Sequence, residues 1–299
     1  MFQPVQFGRD NQLRTRMFIT MLGLGLLYGL FMLVAWQFSP WYLSIALVMV
    51  IIQFSLSDKM VLASMRAKVV TEHEAPKLHK MVTDLSMKAG IPKPKVAVSD
   101  IATPNAFATG RSQKHAAVAV TVGLLNILTD DELEAVLAHE ISHIKTKDVV
   151  VMTYASFFLI VAATMSSFLM FSAIFGGMGR SRNSNAGSVV MVALLVTFIV
   201  RIIGSILVAT LSRYREFSAD RGAAALTLKP MALASALQRL QGSMISMPKQ
   251  DLRKVEGMNA FFILSAVGSG LAGLFSSHPS TEKRVQRLQQ YDQQMAFSR

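Results

Sequence analysis

Cysteine is absent from all 299 residues. That excludes a disulfide framework and any thiolate-held metal, and leaves the compartment undecided. Charge is also scarce: 16% of the chain is charged, against about 25% in soluble domains. With 52% hydrophobic residues and a mean hydropathy of +0.41, the composition leans towards the bilayer. Acids are outnumbered by Lys and Arg, 18 to 30, for a formal charge of +12. No basic–aromatic interleaving suited to base stacking accompanies that charge. In a chain with long apolar runs, basic loops are expected from the positive-inside rule and from anionic lipid. The expected partner is therefore a lipid bilayer and not nucleic acid. Repeats at solenoid spacing are lacking, and the length allows one or two domains with a real core.

What is present begins with apolar runs. Met17 to Phe38 carries no charge and is long enough to cross about 30 Å of hydrocarbon as a helix. Ser39-Pro40 breaks it, and Trp41 to Ser57 is a shorter second run, with Trp36, Trp41 and Tyr42 at the break as in an aromatic belt. The first run is too long for the core of a cleaved signal peptide, and no small-x-small cleavage site follows it. Val149 to Phe175 and Gly187 to Ser212 form a second pair around a Gly/Ser/Asn-rich turn, Gly176 to Ser188. Each of these two reads as a span or a buried apolar helix. Arg201 within the fourth run reads as snorkelling or ion-paired.

Arg9, Arg14, Arg16, Lys59, Arg66, Lys68, Lys145, Lys147, Arg213 and Arg215 flank these runs on one side, which is expected to be cytoplasmic. Arg180 and Arg182 in the turn run against that pattern. The expected organisation is a transmembrane hairpin over 1–58, a first polar part over 59–148, a second transmembrane or hydrophobic hairpin over 149–212, and a second polar part over 213–299. The fold class expected is α+β, mainly helical, with a polar domain joined to a four-segment transmembrane helical bundle. In the polar parts, Glu74 to Ala89 reads as a helix ended by Gly90-Ile91-Pro92. Lys95 to Val98 and the alternating His115 to Thr121 read as strands. Residues 230–242 and 279–296 read as amphipathic helices, and Phe261 to Phe275 as an apolar loop too short and glycine-rich to span.

The chemistry sits on one helix. Thr129-Asp130-Asp131-Glu132 has the form of a capping box, and Leu133, Val136, Leu137, Ile141 and Ile144 recur at helical spacing. On that helix lies His139-Glu140-Ile141-Ser142-His143. Histidines four apart stack one turn above each other, so both imidazoles can reach one zinc ion at about 2.0–2.1 Å. Glu140 lies about 100° round from His139, where a general base acting on the attacking water belongs. Only a short stretch separates His143 from Val149; a continuous helix there would put the site roughly 9 Å from the third run, near the membrane face.

Zinc needs a third protein ligand, and no histidine follows His143 at short spacing. A carboxylate from another helix is the alternative. Arg215-Glu216-Phe217-Ser218-Ala219-Asp220 places two acids one turn apart, so that Glu216 could ligate while Asp220 holds the far nitrogen of an imidazole, His139 first. Glu216 reads equally as a solvated acid paired with Arg213 or Arg215. His73, His79 and His115 have no partner spacing and read as structural or solvated.

H-E-I-S-H at 139–143, N-A-F-A-T-G at 105–110, R-E-F-S-A-D at 215–220 and S-H-P-S-T-E-K-R at 277–284 together resemble the gluzincin-type family of membrane zinc metalloproteases that includes the CAAX prenyl proteases. The similarity covers nearly the whole chain, four hydrophobic segments in the same order included. It implies a zincin-like metalloprotease domain whose two catalytic parts are 59–148 and 213–299, and one Zn²⁺ per chain with Glu216 as third ligand. It implies that Asn105, Ala106 and Phe107 border the cleft beside an edge strand, which can bind extended polypeptide; an ordinary strand end with a glycine turn is the plainer reading. It implies that His278 stabilises the oxyanion, where His278-Pro279 also reads as a simple helix start with proline first. The implied activity is endopeptidase cleavage of misfolded or damaged membrane proteins under stress, at the cytoplasmic face of a bacterial inner membrane, with self-cleavage. Two rivals stand beside it. A protease-like adaptor that binds without cutting has no need of Glu140. A small transporter or channel would want carboxylates inside its spans, which hold none.

Overall fold

The computed structural model describes residues 10–36, 44, 48, 51, 52, 55, 59–175, 185–246 and 276–297. Most of the expected second run, Trp41 to Ser57, lies outside the described residues, as do 176–184 of the expected turn and the apolar stretch Phe261 to Phe275. Three helices among the described residues are long and apolar enough to cross a membrane.

The first, α1 (Asn11–Trp36), is started by Asp10, whose carboxylate accepts the Leu13 N–H at 2.9 Å. Leu24, Tyr28 and Phe31 are buried on one side, while Phe18, Leu22, Leu26, Leu30 and Leu33 project outward on the other. An exposed apolar stripe of this kind is what lipid solvates. The Tyr28 hydroxyl donates to the Ala155 carbonyl at 2.6 Å, so its polar tip is satisfied inside the bundle.

Before the second span, β1 (Ala67–Val69), α2 (Pro76–Ala89), β2 (Lys95–Ser99), β3 (Ala106–Thr109) and β4 (Ala117–Thr121) build a four-stranded sheet with its first covering helix. The sheet order is β1-β2-β4-β3; β2 and β4 run parallel, and the two edge strands run antiparallel to their neighbours. Gly90 ends α2 in the left-handed conformation, φ 69°, which a Cβ would strain. The expected strand from His115 begins later. Gln113–His115 is a 3-10 turn, and all of β4 is buried, because both faces of this sheet are covered. Ala106, Val96, Val118 and Val120 face the main core; Phe107, Ala97 and Ala119 face a second cluster with Val61 and Met65.

The main core is helical. After α3 (Val122–Ile127), α4 (Asp130–Lys145) carries the HEISH segment. Its capping box is formed: the Glu132 N–H donates to the Thr129 hydroxyl at 3.4 Å, and the Thr129 N–H donates to the Glu132 carboxylate at 2.8 Å. The other Glu132 oxygen accepts from Ser235 at 2.6 Å and Arg239 at 2.8 Å, fastening α4 to α7 (Pro230–Ser246). Leu137 and Ile141 of α4 are fully buried with Leu233, Leu237 and Leu240 of α7 and Leu288 of α8 (Thr281–Phe297).

Two expectations about helix ends are corrected. The HEISH helix does not run on into the span: it ends at Lys145, Lys147 turns the chain at φ 56°, and α5 (Asp148–Phe175) starts afresh. Pro279 does not sit at the first position of α8, which begins at Thr281 behind Ser280. There the Ser280 carbonyl accepts the Arg284 N–H at 3.2 Å.

The third span is the element that organises the site. α6 (Asn185–Thr227) is 43 residues long, about 64 Å at 1.5 Å per residue, roughly twice what hydrocarbon requires. The expected run Gly187 to Ser212 is its first part only. The helix continues unbroken through Arg215-Glu216 to Thr227, so one rod carries both membrane span and acidic motif. Arg201 projects from its outer face.

Candidate metal centre and active site

α4 and the far half of α6 lie side by side, and their polar residues meet. His139 and His143 stack edge to face, with ring centroids 4.6 Å apart and planes at 87°. Their Nε2 atoms are 3.0 Å apart. Glu216 faces both: Oε2 is 3.4 Å from His139 Nε2, and Oε1 is 3.5 Å from His143 Nε2. One atom from each of the three residues falls within 4.8 Å of the others. Glu216 is 6% exposed, and Oε2 has no hydrogen-bond partner. Arg213 instead donates to the Ser276 carbonyl at 2.7 Å, and Arg215 turns to Asp148. A solvated acid paired with those arginines is therefore not what the structure contains.

Each imidazole is oriented from behind. His139 Nδ1 lies 3.0 Å from Asp220 Oδ1, and His143 Nδ1 lies 2.6 Å from Asp148 Oδ2. With Nδ1–H donating to a carboxylate, each Nε2 carries its lone pair towards the other and towards Glu216. Burial on its own would push the His139 pKa down, but Asp220 and Glu216 outweigh it and hold it above the ordinary value. His143 behaves alike, with burial opposing and Glu216 prevailing.

Arg284 completes the centre. It is fully buried, and its guanidinium donates to both Asp220 oxygens, at 2.6 and 2.9 Å, while Nη1 sits 3.4 Å from Glu216 Oε2. Burial disfavours its charge, yet the Asp220 and Glu216 carboxylates raise its pKa further.

Four buried carboxylates (Glu140, Asp148, Glu216, Asp220) thus surround two buried guanidiniums (Arg215, Arg284). The deficit of two positive charges equals one divalent cation. A buried carboxylate oxygen without a hydrogen bond, two convergent nitrogens and this charge deficit together fit zinc. Two nitrogens bound tetrahedrally at about 2.0–2.1 Å would stand about 3.3 Å apart, close to the 3.0 Å between the two Nε2 atoms.

The remaining expected site residues fall as follows. Glu140 is buried at 4% exposure beside the cluster, near enough to His143 and Arg284 to raise both their pKa values. His278 Nδ1 is 3.4 Å from Glu216 Oε1, the oxygen that also lies 3.5 Å from His143 Nε2. Asn105 is fully buried; its N–H donates to Thr121 Oγ1 at 2.9 Å, and its carbonyl accepts the Thr121 N–H at 2.9 Å. Ala106 packs beneath α4, but Phe107 points into the opposite cluster under the sheet. What β3 offers the site is backbone, since it is an edge strand with its outer side unpaired by any described strand. His79 and His115 lie outside the cluster, bound to the Val70 carbonyl and Ser112.

Sequence reasoning missed Asp148 and Arg284 and gave Arg215 only a passing role. Arg284 closes the quoted S-H-P-S-T-E-K-R motif, so its signal was available. Asp148 could have been suspected as an acid opening an apolar span, where a lone charge needs a partner.

The pattern of Peptidase family M48 matches residues 72–292 of the chain. The chain belongs to peptidase family M48. M48 relatives resemble it along nearly its whole length. "Protease HtpX homolog" of Moorella thermoacetica is 46% identical over 295 residues, covering 97% of this chain and 98% of the relative. "Protease HtpX homolog 2" of Methanosarcina mazei is 47% identical over 295 residues, covering 97% and 99%. The crystal structure of S. mikatae Ste24p superposes with a TM-score of 0.56 at 20% identity, covering 93% of this chain and 66% of that one. That likeness shows the shared fold, an M48 domain fused to membrane helices. With its three apolar spans, this M48 member is a membrane zinc metalloprotease.

Proposed function

We propose that the chain is an endopeptidase acting on membrane proteins at the cytoplasmic face of a bacterial inner membrane, in quality control of misfolded or damaged substrates. His139, His143 and Glu216 hold zinc, Glu140 is the general base, and Asp220 orients His139. The observation that carries this reading is the convergence of two imidazoles from α4 and one carboxylate from a membrane-spanning helix.

Zinc, when bound at this set, supplies Lewis-acid polarisation of the scissile carbonyl and of water. The chain's own residues do the rest. The outer edge of β3 offers backbone donors and acceptors to an extended polypeptide, which suits loose sequence preference. Glu140 takes a proton from the attacking water and delivers it to the leaving amine. His278, beside Glu216, is placed to donate to the oxygen that becomes negative as the carbonyl is attacked. A small cavity next to His143 lies between Thr109 of β3, Gly110, and Val149 and Val150 of α5, at the base of a span.

Membrane-protein substrates are supported by position, since α5 begins five residues after His143 and α6 carries Glu216 on its own continuation. The cytoplasmic side is supported by the Lys and Arg residues flanking the spans. Reconstituted protein with a model membrane substrate provides the test. Glu140→Ala is expected to abolish cleavage with zinc still bound one to one; continued cutting by that variant would overturn the mechanism. Wild-type protein that holds zinc and retains substrate without cleaving it would favour the adaptor.

A further inference from the structure

His143 is held from behind by a carboxylate that no motif accounts for. Asp148 Oδ2 lies 2.6 Å from His143 Nδ1, and Asp148 is the first residue of the spanning helix α5. Its other oxygen, Oδ1, accepts from the Arg215 guanidinium and from the Thr146 hydroxyl. Arg215 also donates to the Thr146 carbonyl at 2.9 Å. Arg215 immediately precedes Glu216 on α6, a different spanning helix. Asp148 and Arg215 are 6% and 7% exposed, so neither is a surface ion pair. The turn at Lys147, φ 56°, brings the start of α5 back against the last turn of α4.

His139 is oriented in the same way by Asp220 and Arg284, but Arg284 comes from α8. Of these two pairs, the one behind His143 bridges two membrane-spanning helices. The chemistry of the contact is specific: a carboxylate accepts the Nδ1–H and leaves Nε2 unprotonated for a metal. An amide that turned its N–H to Nδ1 would select the opposite tautomer and put a proton where the metal binds.

We propose that Asp148 is the positioning residue for His143, and that the Asp148–Arg215 pair couples the docking of α5 on α6 to metal affinity. The inference rests on His143 being a metal ligand. Its test uses purified full-length protein in detergent and reads metal binding alone, by chelator competition for zinc and by the electronic spectrum of Co²⁺. Asp148→Asn is expected to weaken zinc about 10–100-fold and to shift the Co²⁺ bands. Arg215→Gln is expected to weaken zinc less, and the double variant to be no worse than Asp148→Asn, because Arg215 acts through Asp148. Wild-type affinity and spectrum in Asp148→Asn would overturn the proposal, as would losses that multiply in the double variant. If Asp148→Asn does not fold, Thr146→Val decides, with a several-fold loss in support and unchanged affinity against. His143→Ala separates the two levels. Zinc retained there sinks the ligand reading; zinc lost there but unaffected in Asp148→Asn sinks only this inference.

Discussion

Replacing Arg284 with Met removes a buried charge while nearly keeping its volume, and the structure says what is left behind. Asp220 loses both guanidinium bonds, at 2.6 and 2.9 Å, and retains only His139 Nδ1 at 3.0 Å. Glu216 loses the cation 3.4 Å from Oε2. The centre would then hold four buried carboxylates against one guanidinium, a deficit that one divalent ion no longer covers. Breaking a buried pair by deleting one partner costs about 3–5 kcal/mol. At about 2–4 °C per kcal/mol for a domain of this size, the midpoint should fall by about 6–20 °C. Thermal unfolding followed by intrinsic fluorescence, in detergent with chelator present, measures it. Adding Asp220→Asn removes the stranded charge and should recover part of the loss. An Arg284→Met protein melting within about 2 °C of wild type would refute the argument, since the pair would then be idle.

Two further outcomes follow. Because His139 and His143 are held above the ordinary imidazole value without metal, protons compete with zinc, and affinity should fall as pH is lowered. The slope should approach two protons per ion, read by chelator competition at pH 8 and pH 6; a flat profile would contradict it. Thr129→Ala should cost about 1 kcal/mol through the lost cap, checked by thermal melting.

The HEISH helix was legible because its information is local: a capping box, a helical apolar stripe and two histidines one turn apart all lie between Thr129 and Ile144. Three of the long apolar runs, the first, third and fourth, were legible for the same reason. What spacing left open was Glu216, because a second-helix acid has no periodic relation to His139 and could equally face solvent; the resemblance singled it out. The continuity of α6 was hidden, since Arg213 and Arg215 after an apolar run read as the end of a span, whereas both turn inward to the Ser276 carbonyl and to Asp148. The break at Thr146-Lys147 carries neither glycine nor proline, so nothing announced it. It exists because Asp148 is drawn back to His143 and Arg215. The Phe107 side chain faces the cluster with Val61 and Met65 because neighbouring residues of a strand point to opposite faces, and Ala106 took the one under α4.

The central claim is a divalent ion held by His139, His143 and Glu216. Zinc K-edge X-ray absorption on purified protein tests it most directly, with metal content measured alongside for wild type and Glu216→Ala. The account predicts one zinc per chain in wild type, a nitrogen and oxygen first shell with two imidazole signatures at about 2.0–2.1 Å, and loss of metal in the variant. A single-imidazole shell, or full occupancy in Glu216→Ala, would contradict it.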